Sequence, residues 1–343
     1  MADQHRIRFE PVDIEMDVGE DEKILDAAFR QGIHLMHGCR EGQCSACKSY
    51  LLEGDIQMER YSTFACNDAE AAEGYVLLCK AHAFSDCTIE LLNFDEDELL
   101  GGLPITTVTT RVAAIDPVTR DMVSLRLEPL DPFAFKPGQY ADLTIPGTDE
   151  HRSFSMATTA STPDEIEFLI KKYPGGRFSG LLDDGLNVGD ELSMTGPYGS
   201  STLKDGHVFP VVCVAGGAGM APILSILRHL SETGSNRPVR FYYGARTAAD
   251  LFYLDTIRDL GAKLNDFEFI ACLSENADCE FEVEAGNVTE VVERREPQLA
   301  RCEAYLCGPP PMVDAALALL EAHNVPKDQV FHDKFTSPAT DGA

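Results

Sequence analysis

The cysteines are the residues whose type and spacing point most directly to chemistry. Cys39, Cys44 and Cys47 follow the spacing C-x4-C-x2-C, and Cys79 comes after a gap that also contains Cys66. Thiolates at this spacing hold [2Fe–2S] clusters, and the small residues between them let backbone N–H groups approach the sulfurs. One alternative is a structural zinc site, although zinc sites usually present pairs of C-x2-C motifs. The other alternative is a set of unrelated buried thiols.

Composition narrows the class of protein. The 343 residues are 44% hydrophobic and 25% charged, which predicts a globular chain of two or three domains. No apolar run is long enough to cross a bilayer, and the first ten residues lack the hydrophobic core of a signal peptide. Eleven cysteines without such a signal indicate a reducing compartment, so we expect a cytoplasmic protein. A net charge of −29 argues against nucleic acid or an anionic membrane as partner.

The acidic charge is concentrated in the segment that carries the cysteines. Residues 1–98 contain 22 acidic and 8 basic side chains, a net charge of −14, and the remaining 245 residues carry −15. Solubility is one interpretation of this excess. The other is electrostatic steering of a docking partner that has a basic patch.

The elements around the cysteines predict a compact β-grasp-like domain. Apolar residues alternate in 7–9 and in 14–18, as in a hairpin. Helical spacing over 24–29 follows, and then strands at 48–52 and 88–92.

This first segment resembles plant-type ferredoxin domains, and the gap before its last cysteine resembles that of methane monooxygenase reductases. The resemblance implies Cys39, Cys44, Cys47 and Cys79 as the ligands of the cluster. The other two cysteines of this segment, Cys66 and Cys87, then have structural roles.

A domain boundary is indicated by an acidic run followed by glycines, residues 95–102. We predict a ferredoxin domain over 1–98, a linker over 99–104, an antiparallel β-barrel over 105–205 and an α/β domain over 206–343. Short strands of even spacing favour the barrel.

Two motifs in the barrel segment suit a flavin nucleotide. In Arg152-Ser153-Phe154-Ser155, the guanidinium could bind a pyrophosphate and Phe154 could cover a flat ring. The Ser155 hydroxyl could hydrogen-bond a flavin nitrogen. The glycine-rich residues 174–179 open a predicted helix and offer N–H groups to phosphate. Either motif alone would also fit an ordinary surface arginine or turn.

R-x-F-S followed by G-G-x-x-S resembles the FAD signature of the ferredoxin–NADP reductase superfamily. The resemblance implies an FAD site, to which we assign Arg152, Ser153, Phe154, Ser155, Ile170, Lys171, Gly175, Gly176, Arg177, Phe178 and Ser179.

The last segment has the pattern of a doubly wound α/β sheet. The apolar run 211–215 leads into Gly216-Gly217-Ala218-Gly219-Met220 and a helical pattern, which together predict a phosphate cradle. We expect Pro222 to be the first helical residue. The turn is not G-x-G-x-x-G, but it resembles the nucleotide-domain motif of the same superfamily. Further strands and helices alternate over 239–243, 253–260, 267–273, 288–294, 303–306, 312–322 and 330–335.

Two further features indicate a nicotinamide site. The run Cys307-Gly308-Pro309-Pro310-Pro311-Met312 resembles the superfamily's C-G-P-P-x-M, whose turn faces the nicotinamide. The resemblance also implies that Phe335, a C-terminal aromatic, lies near the flavin, although it could equally be a core residue. On this basis Ser155, Cys307 and Phe335 are the predicted catalytic residues.

The nicotinamide cofactor is predicted to be NADH. Relatives that use NADPH carry Ser-Arg after the third strand, and this chain has Ser274-Glu275. A carboxylate there would repel a 2′-phosphate. Arg246 follows the second strand and could approach the ribose from the other side.

Together the resemblances imply a reductase that passes electrons from NADH to FAD, beside Ser155, and on to the cluster. A flavin must stand between a two-electron donor and a one-electron acceptor. We expect a monomer whose acceptor docks near the cysteine loop. The first choice of acceptor is the hydroxylase of a soluble di-iron monooxygenase of the methane or propane type, and the alternative is a Rieske ring-hydroxylating dioxygenase. A redox sensor that uses the cluster as a switch is a third hypothesis.

Overall fold

The computed structural model describes residues 3–162, 164–204, 206–275, 279 and 282–335. The chain divides into two compact units, with the boundary between residues 105 and 106. The first unit contains the cysteine motif. The second unit, which extends to residue 335, contains both predicted nucleotide-binding segments.

The first unit is built on a mixed sheet with the strand order β2-β1-β7-β3-β5. The antiparallel pairing of β1 with β2 confirms the predicted hairpin, and β1 also pairs in parallel with β7. The strands are β1 (Gln4–Glu10), β2 (Ile14–Gly19), β3 (Lys48–Glu53), β4 (Ile56–Met58), β5 (Tyr75–Leu77), β6 (Ala81–Ala83) and β7 (Cys87–Leu91). The helices are α1 (Ile24–Arg30), α2 (Asp68–Glu73) and α3 (Glu96–Leu99).

Helix α1 covers one part of this sheet, because its apolar residues recur on one face. Ile24, Leu25 and Ala28 are fully buried. Gly32 lies just beyond the end of this helix and adopts a left-handed φ of +74°, which glycine tolerates best.

The end of the first unit lies further along the chain than the acidic run suggests. Helix α3 ends at Leu99, which is buried, and the His34 N–H donates to the Leu99 carbonyl at 2.8 Å. The first residues of the predicted linker, 99–104, therefore pack on this unit.

The barrel forms the first half of the second unit. Its strands are β8 (Thr106–Pro117), β9 (Met122–Pro129), β10 (Tyr140–Thr144), β11 (His151–Ser155), β12 (Ile166–Lys171) and β13 (Glu191–Tyr198), with the short helix α4 (Leu181–Asp184) after β12. The antiparallel sheet has the order β11-β10-β13-β8-β9-β12. A bridge between Met156 and Phe168 joins its two edge strands, which confirms the predicted antiparallel barrel.

The second half is a parallel sheet with the order β17-β16-β15-β14-β18-β19. Its strands are β14 (Val211–Gly216), β15 (Val239–Ala245), β16 (Phe267–Leu273), β17 (Glu284–Ala285), β18 (Glu303–Gly308) and β19 (Val330–Lys334). Its helices are α5 (Met220–Glu232), α6 (Leu254–Gly261), α7 (Val288–Arg295) and α8 (Pro310–Ala322). The predicted doubly wound sheet is confirmed. The strand order reverses at β14, and ligands of such sheets bind at this reversal.

Helices cover both faces of the parallel sheet, as continuous apolar strands require. Cys213 and Phe241 point toward one core, which contains α5 and α6. Val214 and Tyr242 point toward the other, which contains α7 and α8. Contrary to expectation, α5 begins at Met220, after a 3-10 turn, so Pro222 is its third residue. Proline is tolerated there because the first helical N–H groups have no partner within the helix.

A buried carboxylate fastens the connection between barrel and sheet. Glu303 is completely buried and accepts hydrogen bonds from the Tyr305 hydroxyl and, at 2.7 Å, from Arg237 Nη2. His207 Nδ1 lies 3.1 Å from the same carboxylate. The Lys204 N–H donates to the Tyr305 hydroxyl at 3.2 Å, which ties the connecting segment to β18.

Among the described residues, no helix is both long and apolar enough to cross a membrane.

Candidate functional site

The four cysteines predicted as cluster ligands lie together as two pairs. Cys39 and Cys44 form one pair, since the Cys39 N–H donates to Cys44 Sγ at 3.3 Å and the two thiols are hydrogen-bonded. Cys47 and Cys79 form the other pair through a hydrogen bond between their thiols. Cys44, Cys47 and Cys79 are buried and Cys39 is partly exposed.

The loop around Cys39 suits a sulfur that carries negative charge. The backbone N–H groups of Glu41 and Gln43 both donate to Cys39 Sγ at 3.4 Å. The hydrogen bond with Cys44 lowers the pKa of the Cys39 thiol to about 6. Left-handed backbone at Arg40 and Gly42 turns these N–H groups toward the sulfur.

The paired arrangement separates the cluster from the zinc alternative. Among the residues that the structure describes, no group of three or more His, Cys, Asp or Glu is arranged to hold a single metal ion. Structural zinc needs four ligands around one point, whereas two pairs of thiols suit a centre with two iron atoms. The donor set therefore fits a [2Fe–2S] cluster.

Cys66 and Cys87 lie outside the two pairs. Both are buried, and burial raises the pKa of each thiol. Their sulfurs face backbone carbonyls: Cys66 Sγ lies 3.8 Å from the Tyr75 oxygen and Cys87 Sγ lies 3.2 Å from the Ser85 oxygen. These contacts are those of packed structural thiols.

The first flavin motif lies on the edge strand β11, where it meets a second arginine. Arg152 Nη2 lies 3.6 Å from Glu150 Oε2, and Arg177 Nη1 pairs with the other oxygen of the same carboxylate. Two guanidinium groups thus converge on one anionic group. This cradle fits a pyrophosphate, which presents anionic oxygens to forked donors.

The remaining residues of this motif differ in their surroundings. The Ser153 hydroxyl donates to Asp142 Oδ1 at 2.6 Å, so it is already engaged within the barrel. Ser155 is buried at the end of β11. The Phe154 ring lies 5.0 Å from that of Phe178, which brings the two motifs together.

The glycine-rich motif forms a tight turn that excludes side chains. The Ser179 hydroxyl accepts a hydrogen bond from the Tyr173 N–H at 3.3 Å. A Cβ on Gly176 would lie 2.3 Å from Ser179 Oγ, and Gly175 has a left-handed φ of +73°. The sequence therefore needs glycine at both positions. The helix that follows, α4, is only one turn long.

Ile170 and Lys171 are the last two residues of β12, and their side chains lie in different environments. The Ile170 side chain is buried in the barrel core, so it can offer a cofactor only its backbone. Lys171 Nζ lies 3.6 Å from Asp121 Oδ2, and both residues line the cleft between barrel and sheet.

This cleft has a volume of about 480 Å³ and lies at the carboxyl ends of the parallel strands. Gly216, Gly217, Arg246, Ser274 and Pro309 are among the residues that line it. The position matches the reversal of strand order at β14, where nucleotides bind in such sheets.

Two glycine turns meet at the floor of this cleft. A Cβ on Gly219 would lie 2.0 Å from the Cys307 carbonyl oxygen, and one on Gly308 would lie 2.7 Å from the Gly216 oxygen. The Phe335 N–H donates to the Gly308 carbonyl at 2.9 Å, so this residue follows β19 beside the same turn. Ala218 and Met220 complete the first turn.

Cys307 is a neutral, buried thiol. Burial raises its pKa well above the usual value, and its side chain packs in the core beneath α5. A role at the nicotinamide would therefore rest on contact rather than on thiolate chemistry.

Arg246 and Glu275 lie side by side after β15 and β16. The Glu275 N–H donates to the Arg246 carbonyl at 3.0 Å, and Arg246 Nε lies 3.9 Å from Glu275 Oε1. Both side chains are exposed. The arginine that could attract a 2′-phosphate thus faces a carboxylate.

Sequence reasoning missed a polar network that joins barrel and sheet. Glu167 on β12 is buried and accepts hydrogen bonds from the Tyr253 hydroxyl at 2.6 Å, Arg228 Nη1 at 3.0 Å and the Ser124 hydroxyl at 3.0 Å. Tyr253 has a left-handed φ of +58°, an uncommon conformation for a residue with a side chain. The sequence signal was weak: a charged residue within the apolar run of β12.

A paired-thiol loop, an arginine cradle on a barrel and a nucleotide cleft on a parallel sheet define a class of protein. It is a flavin and iron–sulfur oxidoreductase that draws electrons from a nicotinamide.

Comparison with known proteins agrees with each part. Family models match a 2Fe-2S iron-sulfur cluster binding domain over residues 7–83, an oxidoreductase FAD-binding domain over 110–202 and an oxidoreductase NAD-binding domain over 213–317.

The chain is 73% identical to the propane 2-monooxygenase reductase component of Mycolicibacterium goodii, over 99% of this chain and all of that protein. It is 33% identical to the toluate 1,2-dioxygenase electron transfer component of Pseudomonas putida, over 94% of this chain and 95% of that protein. Among solved structures, the Amycolatopsis cytochrome P450 reductase has a TM-score of 0.85 and 27% identity, covering 98% of this chain and all of that one.

The chain belongs to the family of monooxygenase reductase components that includes these propane 2-monooxygenase proteins. Its electrons pass from NADH through FAD to the [2Fe–2S] cluster and on to an oxygenase component.

Proposed function

We propose that this reductase supplies electrons to the hydroxylase of a di-iron monooxygenase that oxidises propane at carbon 2. The observation that carries the proposal is the 70–73% identity, over 99% of the chain, to four reductase components of propane 2-monooxygenases. Reductases of ring-hydroxylating dioxygenases are less similar, at 31–33% identity.

In this proposal Cys39, Cys44, Cys47 and Cys79 would supply the thiolates that hold the cluster. Arg152 and Arg177 would bind the FAD pyrophosphate in place of Glu150. Phe154 would lie against the flavin nucleotide, and Phe178, predicted as a cofactor contact, is instead buried behind it in the barrel core. The bound groups supply the redox chemistry: a flavin accepts two electrons from NADH and releases them singly to the cluster.

The protein's own contribution is orientation. Ser155 donates a hydrogen bond to the flavin, and the turns at 216–220 and 307–309 hold the nicotinamide half of NADH. Phe335, held beside the Gly308 turn, would cover the flavin ring. The reductase works as a cytoplasmic monomer, and its acceptor docks at the cysteine loop.

Reconstitution tests the assignment of the partner. The FAD- and iron-loaded reductase is mixed with NADH, propane and the oxygenase component of the Mycolicibacterium smegmatis propane 2-monooxygenase. We expect propane oxidation that depends on both proteins. The control is the oxygenase component of a toluate 1,2-dioxygenase with toluate, which should give much slower turnover. Faster turnover with the dioxygenase would overturn the proposal.

A further inference from the structure

An exposed aromatic residue stands next to the cluster loop. The Phe64 side chain is 95% exposed, whereas Phe84 of the same unit is 38% exposed. Single exposed apolar residues are common on protein surfaces, so exposure alone decides nothing. Two features make Phe64 unusual: its position and the hydrogen-bonded turn that carries it.

The backbone around Phe64 is tied directly to the loop that carries the cysteines. The Ser62 N–H donates to the Gly42 carbonyl at 2.9 Å, and Gly42 lies between Cys39 and Cys44. A Cβ on Gly42 would lie 2.9 Å from Tyr61 Cβ, so the two segments are in close contact. The segment that carries Phe64 therefore packs against the cysteine loop, which the proposed function takes as the docking site.

The turn that presents Phe64 is held on both sides. The Ala65 N–H donates to the Ser62 carbonyl at 2.9 Å, and the Phe64 N–H donates to the Ser62 hydroxyl at 3.3 Å. Ala65 and Cys66 are completely buried just beyond it. The backbone that presents the ring is therefore fixed, and an aromatic side chain has only two rotatable χ angles, so little conformational entropy is lost when the ring enters a pocket.

The charge around this turn says which kind of surface would receive it. Residues 59–73 contain four acidic side chains and one basic side chain, Arg60, and residues 1–105 carry a net charge of −14. Helix α2 follows the turn, and its Asp68 and Glu73 are exposed, whereas Glu70 is partly buried and pairs with Lys48 Nζ at 2.8 Å. A partner with an apolar pocket and a basic rim would complement this surface.

We propose that Phe64 is the anchor by which the oxygenase component docks on the cluster domain, its ring entering an apolar pocket rimmed by basic side chains. This inference rests on the proposed function, because it takes an oxygenase component as the partner. The exposed acidic residues of α2 steer the approach, and the ring of Phe64 adds affinity by entering the pocket.

The structure makes Phe64 well suited to mutation. Because 95% of its side chain is exposed, Phe64→Ala leaves no cavity and should not alter folding or cofactor content. Leu52→Ala is the matched control, since Leu52 is 48% exposed on the same unit. Leu52 lies on β3, which begins one residue after Cys47, and about 16 Å of extended chain separates Leu52 from that cysteine.

The test measures NADH oxidation by the loaded full-length reductase with propane, while the concentration of the Mycolicibacterium smegmatis oxygenase component is varied. We expect Phe64→Ala to raise the KM for the oxygenase about ten-fold or more. Phe64→Tyr should stay close to wild type, and Leu52→Ala should equal it. Stopped-flow absorbance without oxygenase should show unchanged reduction of flavin and cluster by NADH.

Three results would overturn the inference. A KM that stays at the wild-type value in Phe64→Ala would place the docking surface elsewhere. Slower reduction of the cluster in the absence of oxygenase would make Phe64 a contact for internal electron transfer. If the wild type failed to drive the oxygenase at all, the proposed function itself would be wrong, and this inference with it.

Discussion

Replacing Arg152 with alanine should weaken FAD binding by about ten- to a hundred-fold. A hydrogen bond from a charged group contributes about 1.5–3 kcal/mol, and each 1.4 kcal/mol is a factor of ten in affinity. The Arg152 side chain is only 29% exposed, so water screens its interaction weakly. Arg177 is 51% exposed, so Arg177→Ala should weaken FAD binding less, by about 1 kcal/mol or below.

The carboxylate between the two arginines gives a test in the opposite direction. Glu150 already pairs with Arg152 and Arg177, so an incoming pyrophosphate must displace it. Glu150→Gln removes the competing charge and should raise FAD affinity several-fold. The three variants therefore predict an order of affinities: Glu150→Gln, wild type, Arg177→Ala and Arg152→Ala, from tightest to weakest.

Titration of flavin-free protein with FAD, followed by quenching of flavin fluorescence, gives the dissociation constants. Arg111→Ala is the control, because Arg111 lies on β8, pairs with Glu128 and belongs to neither motif. Cluster absorbance should be the same in all variants. Wild-type affinity in Arg152→Ala, or a larger loss in Arg177→Ala, would refute the assignment of Arg152 to the pyrophosphate.

Three other substitutions test other parts of the site. Cys79→Ser should abolish most visible iron–sulfur absorption while FAD stays bound, whereas Cys66→Ser should keep it; an intact cluster without Cys79 would disprove the ligand set. The wild type should prefer NADH over NADPH by more than about tenfold in kcat/KM, and Glu275→Arg should reduce that ratio. Equal use of both cofactors by the wild type would contradict this prediction. Tyr253→Phe should slow the reduction of flavin by NADH about ten-fold while the FAD content stays unchanged. The reason is that the hydrogen bond from Tyr253 to Glu167 positions the parallel sheet on the barrel. An unchanged rate of flavin reduction in stopped-flow would exclude this positioning role.

Tyr253 also gives a prediction for alkaline pH. Burial, and then the hydrogen bond to Glu167, raise the pKa of Tyr253 from 10.0 to about 12. A raised pKa favours the protonated phenol in the folded state, so its contribution to stability is complete below pH 10 and lost between pH 10 and 12. Denaturant unfolding across this range should show a steeper loss of stability in wild type than in Tyr253→Phe. Parallel curves would show that folding does not raise the pKa of this phenol.

Local sequence patterns predicted the parts of the fold that depend on local physics. The alternation in 7–9 and 14–18 gave the β1–β2 hairpin, because side chains of a strand point to alternate faces. The continuous apolar run 211–215 gave the buried strand β14. One local signal was overlooked: Asn67 and Glu70 form a capping box, which starts helix α2.

The remaining features depend on contacts between distant segments. No local pattern shows that Met156 bridges to Phe168 and closes the barrel, or that Glu150 enters the arginine cradle. Tyr253, which has a left-handed φ, donates its hydroxyl to the Glu167 carboxylate, which lies 86 residues earlier in the chain and on the barrel. Single positions of this kind are fixed by tertiary structure, so a periodicity analysis cannot find them.

The buried carboxylate of Glu303 has a consequence for dividing the chain experimentally. The segment between barrel and sheet supports this carboxylate and its two donors, Arg237 and Tyr305. His207 Nδ1 lies 3.1 Å from the carboxylate itself. The Phe209 carbonyl accepts a hydrogen bond from Arg237 Nε at 2.7 Å, and the Lys204 N–H donates to the Tyr305 hydroxyl. A nucleotide-binding fragment expressed from residue 211 would leave these polar partners unsatisfied, at about 1–3 kcal/mol for each lost bond to a charged group. We therefore expect a fragment expressed from residue 204, which keeps these partners, to be more stable than one expressed from residue 211.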